Sequence, residues 1–281
     1  MALQLLDRAV AVLRAIGSSG EEGMRLVDLQ RATGLSKPTV HRLLQSLTAN
    51  GLVMVDGGTL RYRLGHELAV LGWSVAHRQQ DLRTAATHSA MQLADECGDT
   101  VFVVVRSGFD AVCIDRRSGA FPIKALTVDV GTRRPLGVGA SGMAILAALS
   151  EGESADILEA VAGRLPQYTS ATVAQLRTAI REARRRGYAF SNGLFTEGVR
   201  SIGVPIRDFR QEPVAAIGVA AILPRIPARR LAELVAALDR ERRRIESRLL
   251  AGAPSAGAPL QGRARRAATQ ARAAHLTRES M

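Results

Sequence analysis

Lys37, Thr39, His41, Arg42, Gln45 and Ser46 lie within the stretch GLSKPTVHRLLQSLTANG, residues 34–51, and form a set that could read DNA. A guanidinium such as that of Arg42 can pair with both major-groove acceptors of guanine, and a carboxamide such as that of Gln45 matches adenine. Lys37, Thr39 and Ser46 suit phosphate oxygens, which fix position rather than sequence. No carboxylate, which phosphate would repel, interrupts the set.

Those side chains converge only if the segment is helical, and its spacing predicts a helix. Val40, Leu43, Leu44 and Leu47 fall at i, i+3, i+4 and i+7 and make one stripe for burial. Ser36 is a good N-cap and Pro38 is tolerated in a first turn, so both stand at the end that would meet the groove. Upstream, RLVDLQRATG carries Leu26, Leu29 and Ala32 or Thr33 at helical spacing, and Gly34 supplies a left-handed stop. Two helices joined by a short glycine turn form a helix-turn-helix, whose second helix presents its N-terminal residues to base edges. Downstream, VMVDGGTLRYRL predicts a hairpin around DGGT, with Arg61 and Arg63 on one side and Leu60, Tyr62 and Leu64 on the other. Such a wing would place two arginines against the DNA backbone or minor groove. The competing reading is a helical module whose basic face is merely solvated.

The wider composition agrees with a polyanionic partner. The 281 residues carry 38 basic and 26 acidic side chains, a formal net charge of +12, and 36 of the basic residues are arginine. Genome composition alone can also enrich arginine. With 47% apolar residues a packed core is affordable. No apolar run is long enough to span a bilayer, and MALQLLDRAVAVLRAIG reads as an amphipathic helix rather than a signal peptide, so a cytoplasmic location is expected. Its Leu5, Val10, Leu13 and Ile16 are candidate dimer contacts. Cys97 and Cys113 are too few for a disulfide framework and lack metal-ligand spacing.

Beyond the wing, residues 65 to about 97 read as helix. In the following zone, TVFVVVR and AVCIDRR flank the turn SGFD, and FPIKALTVDVG is a further strand-like run. ASGMAILAALS, SADILEAVA and TVAQLRTAIREARRRG read as helices, the last with Gly187 as C-cap. YAFS, VRSIGVPIRD and PVAAIGVAAI read as strands, and PARRLAELVAALDRERRRIESRLL closes as a long amphipathic helix. Hairpins with helices gathered around them predict an α+β domain on a mainly antiparallel sheet. Residues 252–281, rich in Ala, Gly, Pro and Arg, are expected to form a disordered basic tail.

Nothing in this pattern predicts an enzyme. GASGM around Ser141 lacks the final glycine of a nucleophile elbow, and the histidines, at 41, 66, 77, 88 and 275, leave residues 98–251 without a base. Ser141 fits the N-cap of GMAILAAL better. No Walker loop, HExxH or CxxC occurs, and no catalytic residue, metal or cofactor is expected.

GLSKPTVHRLLQSLTANGLV…YRLG resembles the winged-helix motif of IclR-family transcriptional regulators. VGTRRPLGVGASGMAILAAL and RRRGYAFSNGLFTEGVRSIGVPIRDFRQEPVAAIGVAAI resemble two later motifs of that family, in the same order. The likeness runs over roughly residues 3–250. It implies a winged helix-turn-helix domain (1–65), a linker helix (66–80) and a GAF-like effector-binding and oligomerisation domain (81–251). It also implies a repressor or activator that binds a palindromic double-stranded DNA operator as a homodimer or homotetramer, without membrane contact. DNA-binding candidates are Ser36, Lys37, Pro38, Thr39, His41, Arg42, Gln45, Ser46, Arg61 and Arg63.

The family's usual effector is a small organic acid, aromatic ones included. Ala140 and Ser141, at a helix start, and Arg133, which could pair with a carboxylate, are candidate contacts. Ser191, Asn192, Ser201, Gly218 and Ala220 match pocket positions in relatives. The chain departs from the family pattern at Gly137, Val138 and Gly139, which replace His-Cys-Thr, and at Met143, which replaces Lys. Gly218 and Ala220 stand where serines are common, and Ser191, Asn192 and Leu194 where acidic residues are. So few hydrogen-bonding side chains imply a larger or more apolar ligand, or binding through backbone N–H groups. The alternatives are an effector-independent DNA-binding regulator and a non-DNA-binding sensor or interaction protein.

Overall fold

The computed structural model describes residues 2–251; the expected basic tail, 252–281, lies outside the described residues. The N-terminal helices are α1 (Ala2–Ser18), α2 (Leu26–Thr33) and α3 (Lys37–Ala49). Gly34 ends α2 at φ 67°, the conformation that glycine enters without a Cβ clash. Leu29 from α2, the α3 stripe Val40, Leu43, Leu44 and Leu47, and Val12 and Ile16 from α1 close one apolar core. Ile16 is therefore part of this module's interior and is not available as a dimer contact. Leu5 on the outer face of α1 is exposed.

The wing strands β1 (Val53–Val55) and β2 (Tyr62–Leu64) pair antiparallel. Met24 adds a third rung, exchanging backbone hydrogen bonds with Tyr62 at 3.0 and 2.8 Å. Gly23, at φ 68°, permits this approach. A Cβ there would lie 2.7 Å from the Tyr62 carbonyl oxygen and 2.8 Å from Cγ of Arg63.

The long helix α4 (His66–Cys97) leads to a six-stranded sheet. Its strands are β3 (Thr100–Ser107), β4 (Asp110–Ser118), β5 (Arg133–Pro135), β6 (Ala189–Asn192), β7 (Val199–Arg207) and β8 (Pro213–Ile222). They stand in the order β5-β4-β3-β8-β7-β6, and every neighbouring pair is antiparallel. Between β5 and β6 the chain forms α5 (Gly139–Ala148), α6 (Glu151–Val161) and α7 (Val173–Arg186). The helix α8 (Ala228–Ala251) follows β8.

The period-2 alternation of the strands sorts two cores. Phe102, Val104, Ala216 and Ala220 face α5, whose Met143, Ile145 and Leu146 are buried among α6 and α7. Val101, Val103, Ile217 and Val219 face the opposite way, onto Leu82, Ala86 and Leu93 of α4 and Leu234, Leu238 and Ile245 of α8. Asp99, 1% exposed in its side chain, locks that second layer. Its oxygens accept from Arg225 Nε at 3.0 Å and from Arg230 at 2.8 Å.

One predicted strand is not a strand. FPIKALTVDVG lies in the connection from β4 to β5 and has no regular secondary structure. Arginines take its carbonyl groups in place of a neighbouring strand: Arg116 donates to Val128 O (3.1 Å) and Arg134 to Thr127 O (2.6 Å). Its Ala125 is buried and Val128 packs on the core, whereas Ile123, Leu126 and Val130 are exposed.

Candidate DNA interface and effector cavity

On α3 the predicted outward set is outward except for Thr39, which is half-buried. Lys37, His41, Arg42, Gln45 and Ser46 are exposed, while the stripe beneath them is buried. Ser36 caps the helix by backbone conformation alone. Its hydroxyl pairs instead with that of Thr39, at 2.9 Å, so these two hydroxyls orient each other. Pro38 lies in the first turn, where its missing N–H leaves no partner unsatisfied. Among the described residues neither Lys37 nor Arg42 has a carboxylate partner. That leaves their charges free for a ligand.

The two wing arginines differ. Arg63 is exposed, but Arg61 is half-buried and donates to Gly23 O at 3.0 Å. It ties the wing to the segment before α2, a structural duty that the strand pattern did not reveal.

The second site lies where α5 meets the sheet. A cavity of about 80 Å³ is lined by Phe102, Val104 and Cys113 from β3 and β4, and by the α5 start. Thr127, Val128 and Thr132 from the β4–β5 connection border it too. Of the predicted effector residues, Ala140, Ser141, Ser201, Gly218 and Ala220 line it; Arg133, Ser191 and Asn192 do not. Arg133 reaches Asp110 at 3.3 Å, and Arg164 holds the same buried carboxylate at 2.8 Å. Asn192 is exposed and accepts from Arg200 at 2.7 Å. Ser191 is buried in β6, opposite Ser201.

Arg134 lines the cavity instead. Burial pushes its guanidinium below the ordinary arginine value, and the electrostatic pull of Tyr168, whose ring centre lies 5.7 Å away, works the other way. Arg133 and Arg134 are neighbours on β5 and so point to opposite faces, which puts only one of them at the cavity. The Cys113 thiol is raised to about 11, chiefly by burial, so it stays protonated and serves as a small apolar wall with a weak donor on Asp115 O.

Ser141 is not the N-cap of α5. Val138 occupies that position and offers no side-chain acceptor, so the first N–H groups of the helix are left to the cavity. Gly203 and Gly218, paired across β7 and β8, let this helix start rest on the sheet. A Cβ on Gly203 would fall 2.7 Å from the Ala140 carbonyl oxygen.

Comparison with known proteins places both parts. Residues 5–57 match the IclR helix-turn-helix domain, and residues 74–247 match the bacterial transcriptional regulator IclR C-terminal domain. The glycerol operon regulatory protein of Streptomyces coelicolor is 31% identical over 224 residues, 80% of this chain and 87% of that protein. The HTH-type transcriptional regulator XynR of Escherichia coli is 28% identical over 233 residues, 82% and 90% of the two chains. A crystal structure of an IclR-family transcriptional regulator from Brucella abortus superposes with a TM-score of 0.64 at 26% identity, covering 86% of this chain and 91% of that one. These relatives are transcriptional regulators rather than enzymes, and among the described residues no helix is long and apolar enough to cross a membrane. With most of its length matched by the two family models, the chain belongs to the IclR family of helix-turn-helix transcriptional regulators.

Proposed function

We propose that this regulator binds a palindromic operator as a dimer or tetramer and releases or grips it in response to a short carboxylic acid. The exposed, carboxylate-free face of α3 over a fully buried stripe is the observation that carries the DNA contact. Lys37, Thr39 and Ser46 set position on phosphates; Arg42 and Gln45 read bases; His41 borders them. In this reading residues 1–65 bind DNA, the start of α4 links, and residues 81–251 bind the effector.

The cavity narrows the effector. An apolar cavity of roughly 150 Å³ takes up benzene, and this one measures about 80 Å³. A volume of this size favours a short aliphatic acid over an aromatic one. Arg134 and the uncapped start of α5 supply the positive side. Such an acid shifts the protein only if it binds the DNA-competent and incompetent states unequally.

Footprinting of the full chain on a duplex selected from a random library tests the operator reading. Two symmetric protected half-sites about 10 base pairs apart, or a multiple of that, are expected. A single asymmetric footprint rejects the palindrome.

A further inference from the structure

Leu60 stands at the wing tip with φ 52° and is 68% exposed. A branched side chain rarely occupies the left-handed region, and the left-handed position of such a hairpin loop is ordinarily glycine. Gly57 and Gly58 are close by, yet neither has positive φ. The turn holds Leu60 in place. Asp56 Oδ1 accepts from the N–H groups of Gly58 and Thr59, both at 3.0 Å. The Leu60 N–H donates to Asp56 O at 2.8 Å, and the Asp56 N–H donates to Arg61 O at 2.9 Å.

The chain thus gives up backbone freedom to hold an apolar side chain out in solvent. It also turns the only carboxylate of the tip onto backbone donors. Arg63 is exposed on the same hairpin, and neither strand of the wing carries an acidic residue. A polyanion with a groove that admits an apolar side chain fits that combination.

We propose that Leu60 probes the DNA minor groove, packing against the floor of an A·T-rich stretch beside the bases read by α3. Guanine places an amino group in that groove and A·T pairs place none, so an apolar tip discriminates between them. A narrow A·T groove also concentrates negative potential, which favours Arg63 alongside. Apolar side chains entering this groove are an established mode of contact. The proposal rests on reading the wing as a DNA contact.

The test uses the full chain and a duplex selected from a random library, in three forms. The base pairs protected from minor-groove cleavage by the wing are A·T, G·C or inosine·C; inosine lacks the guanine amino group. Leu60→Gly and Leu60→Asn both tolerate positive φ, so their melting temperatures should not fall. Both should weaken binding about fivefold on the A·T and inosine duplexes and leave the G·C duplex unchanged. Arg63→Ala is the control for the wing itself and should weaken binding to all three. If both Leu60 variants bind all three duplexes like the wild type while Arg63→Ala weakens binding, the wing touches DNA but Leu60 does not probe the groove. If Arg63→Ala is also without effect, the underlying wing reading fails, and a protein partner for the tip takes its place.

Discussion

Ser141 Oγ lies 2.5 Å from the point where a Cβ on Gly218 would stand. The hydroxyl of the helix start fills the space that a side chain on β8 would need. The cavity thus has a hydroxyl beside Gly218, supplied from the start of α5.

Gly218→Ala should therefore destabilise the effector domain by roughly 1–3 kcal/mol, the usual cost of overpacking. Calorimetry should show a fall of about 2–4 °C per kcal/mol for a domain of this size. The double variant Ser141→Gly/Gly218→Ala should recover only part of the loss, because the Ile202 carbonyl oxygen is 2.6 Å from the same point. Complete recovery would mean that the hydroxyl alone sets the constraint.

Arg134→Gln should abolish stabilisation by short carboxylates and leave the unliganded protein close to its original stability, since among the described residues its one side-chain hydrogen bond is to the Thr127 carbonyl. Arg133→Gln should do the reverse. It removes one of the cations on the buried Asp110 and should cost stability while leaving the ligand response intact. Thermal shifts with acetate, pyruvate, butyrate and benzoate separate the two. A larger shift with benzoate than with pyruvate would overturn the size argument.

The two arginines also show where the sequence is legible. Helical stripes and glycine stops are local, so α2, α3, the extent of α4 and the Gly187 cap (φ 79°) could all be read from spacing. Which arginine of the pair at 133 and 134 faces the cavity depends on where β5 begins. That start was obscured by the apolar run at 121–131, which alternates like a strand while its carbonyl groups bond to Arg116 and Arg134. Paired glycines inside β7 and β8 were a usable sign of close backbone approach. Their partner, the start of α5, is some sixty residues distant from Gly203 in the chain, and only the fold brings them together.

On DNA, Arg42→Ala should lose discrimination between the selected duplex and random sequence, at a cost of about 1–3 kcal/mol on the selected one. Arg63→Ala should weaken both duplexes about equally and lower the slope of log affinity against log salt by about 1. Arg61→Ala behaves differently. With its bond to Gly23 O gone, the wing is held less firmly and thermal stability should fall. Gel shifts at several salt concentrations decide among these, and unchanged selectivity in Arg42→Ala would remove α3 from its assigned role.

Cys113 predicts an alkaline limit to stability. Its ordinary thiol value of 9.0 is raised to about 11 in the folded protein, mainly because burial disfavours the thiolate. Between those values the folded state holds a proton that the unfolded state has released, so stability falls as pH rises. The contribution is fully present below about pH 9 and is lost on the way to pH 11. Cys97, also raised by burial, acts in the same direction. Denaturant unfolding across this range should show the decline, and Cys113→Ala, although less stable throughout, should show a shallower one. The same protonation should make Cys113 slow to alkylate at neutral pH in the folded state and ordinary in denaturant. Rapid modification of Cys113 in the native protein would mean that the β4–β5 connection opens the cavity to solvent far more often than its packing against the core implies.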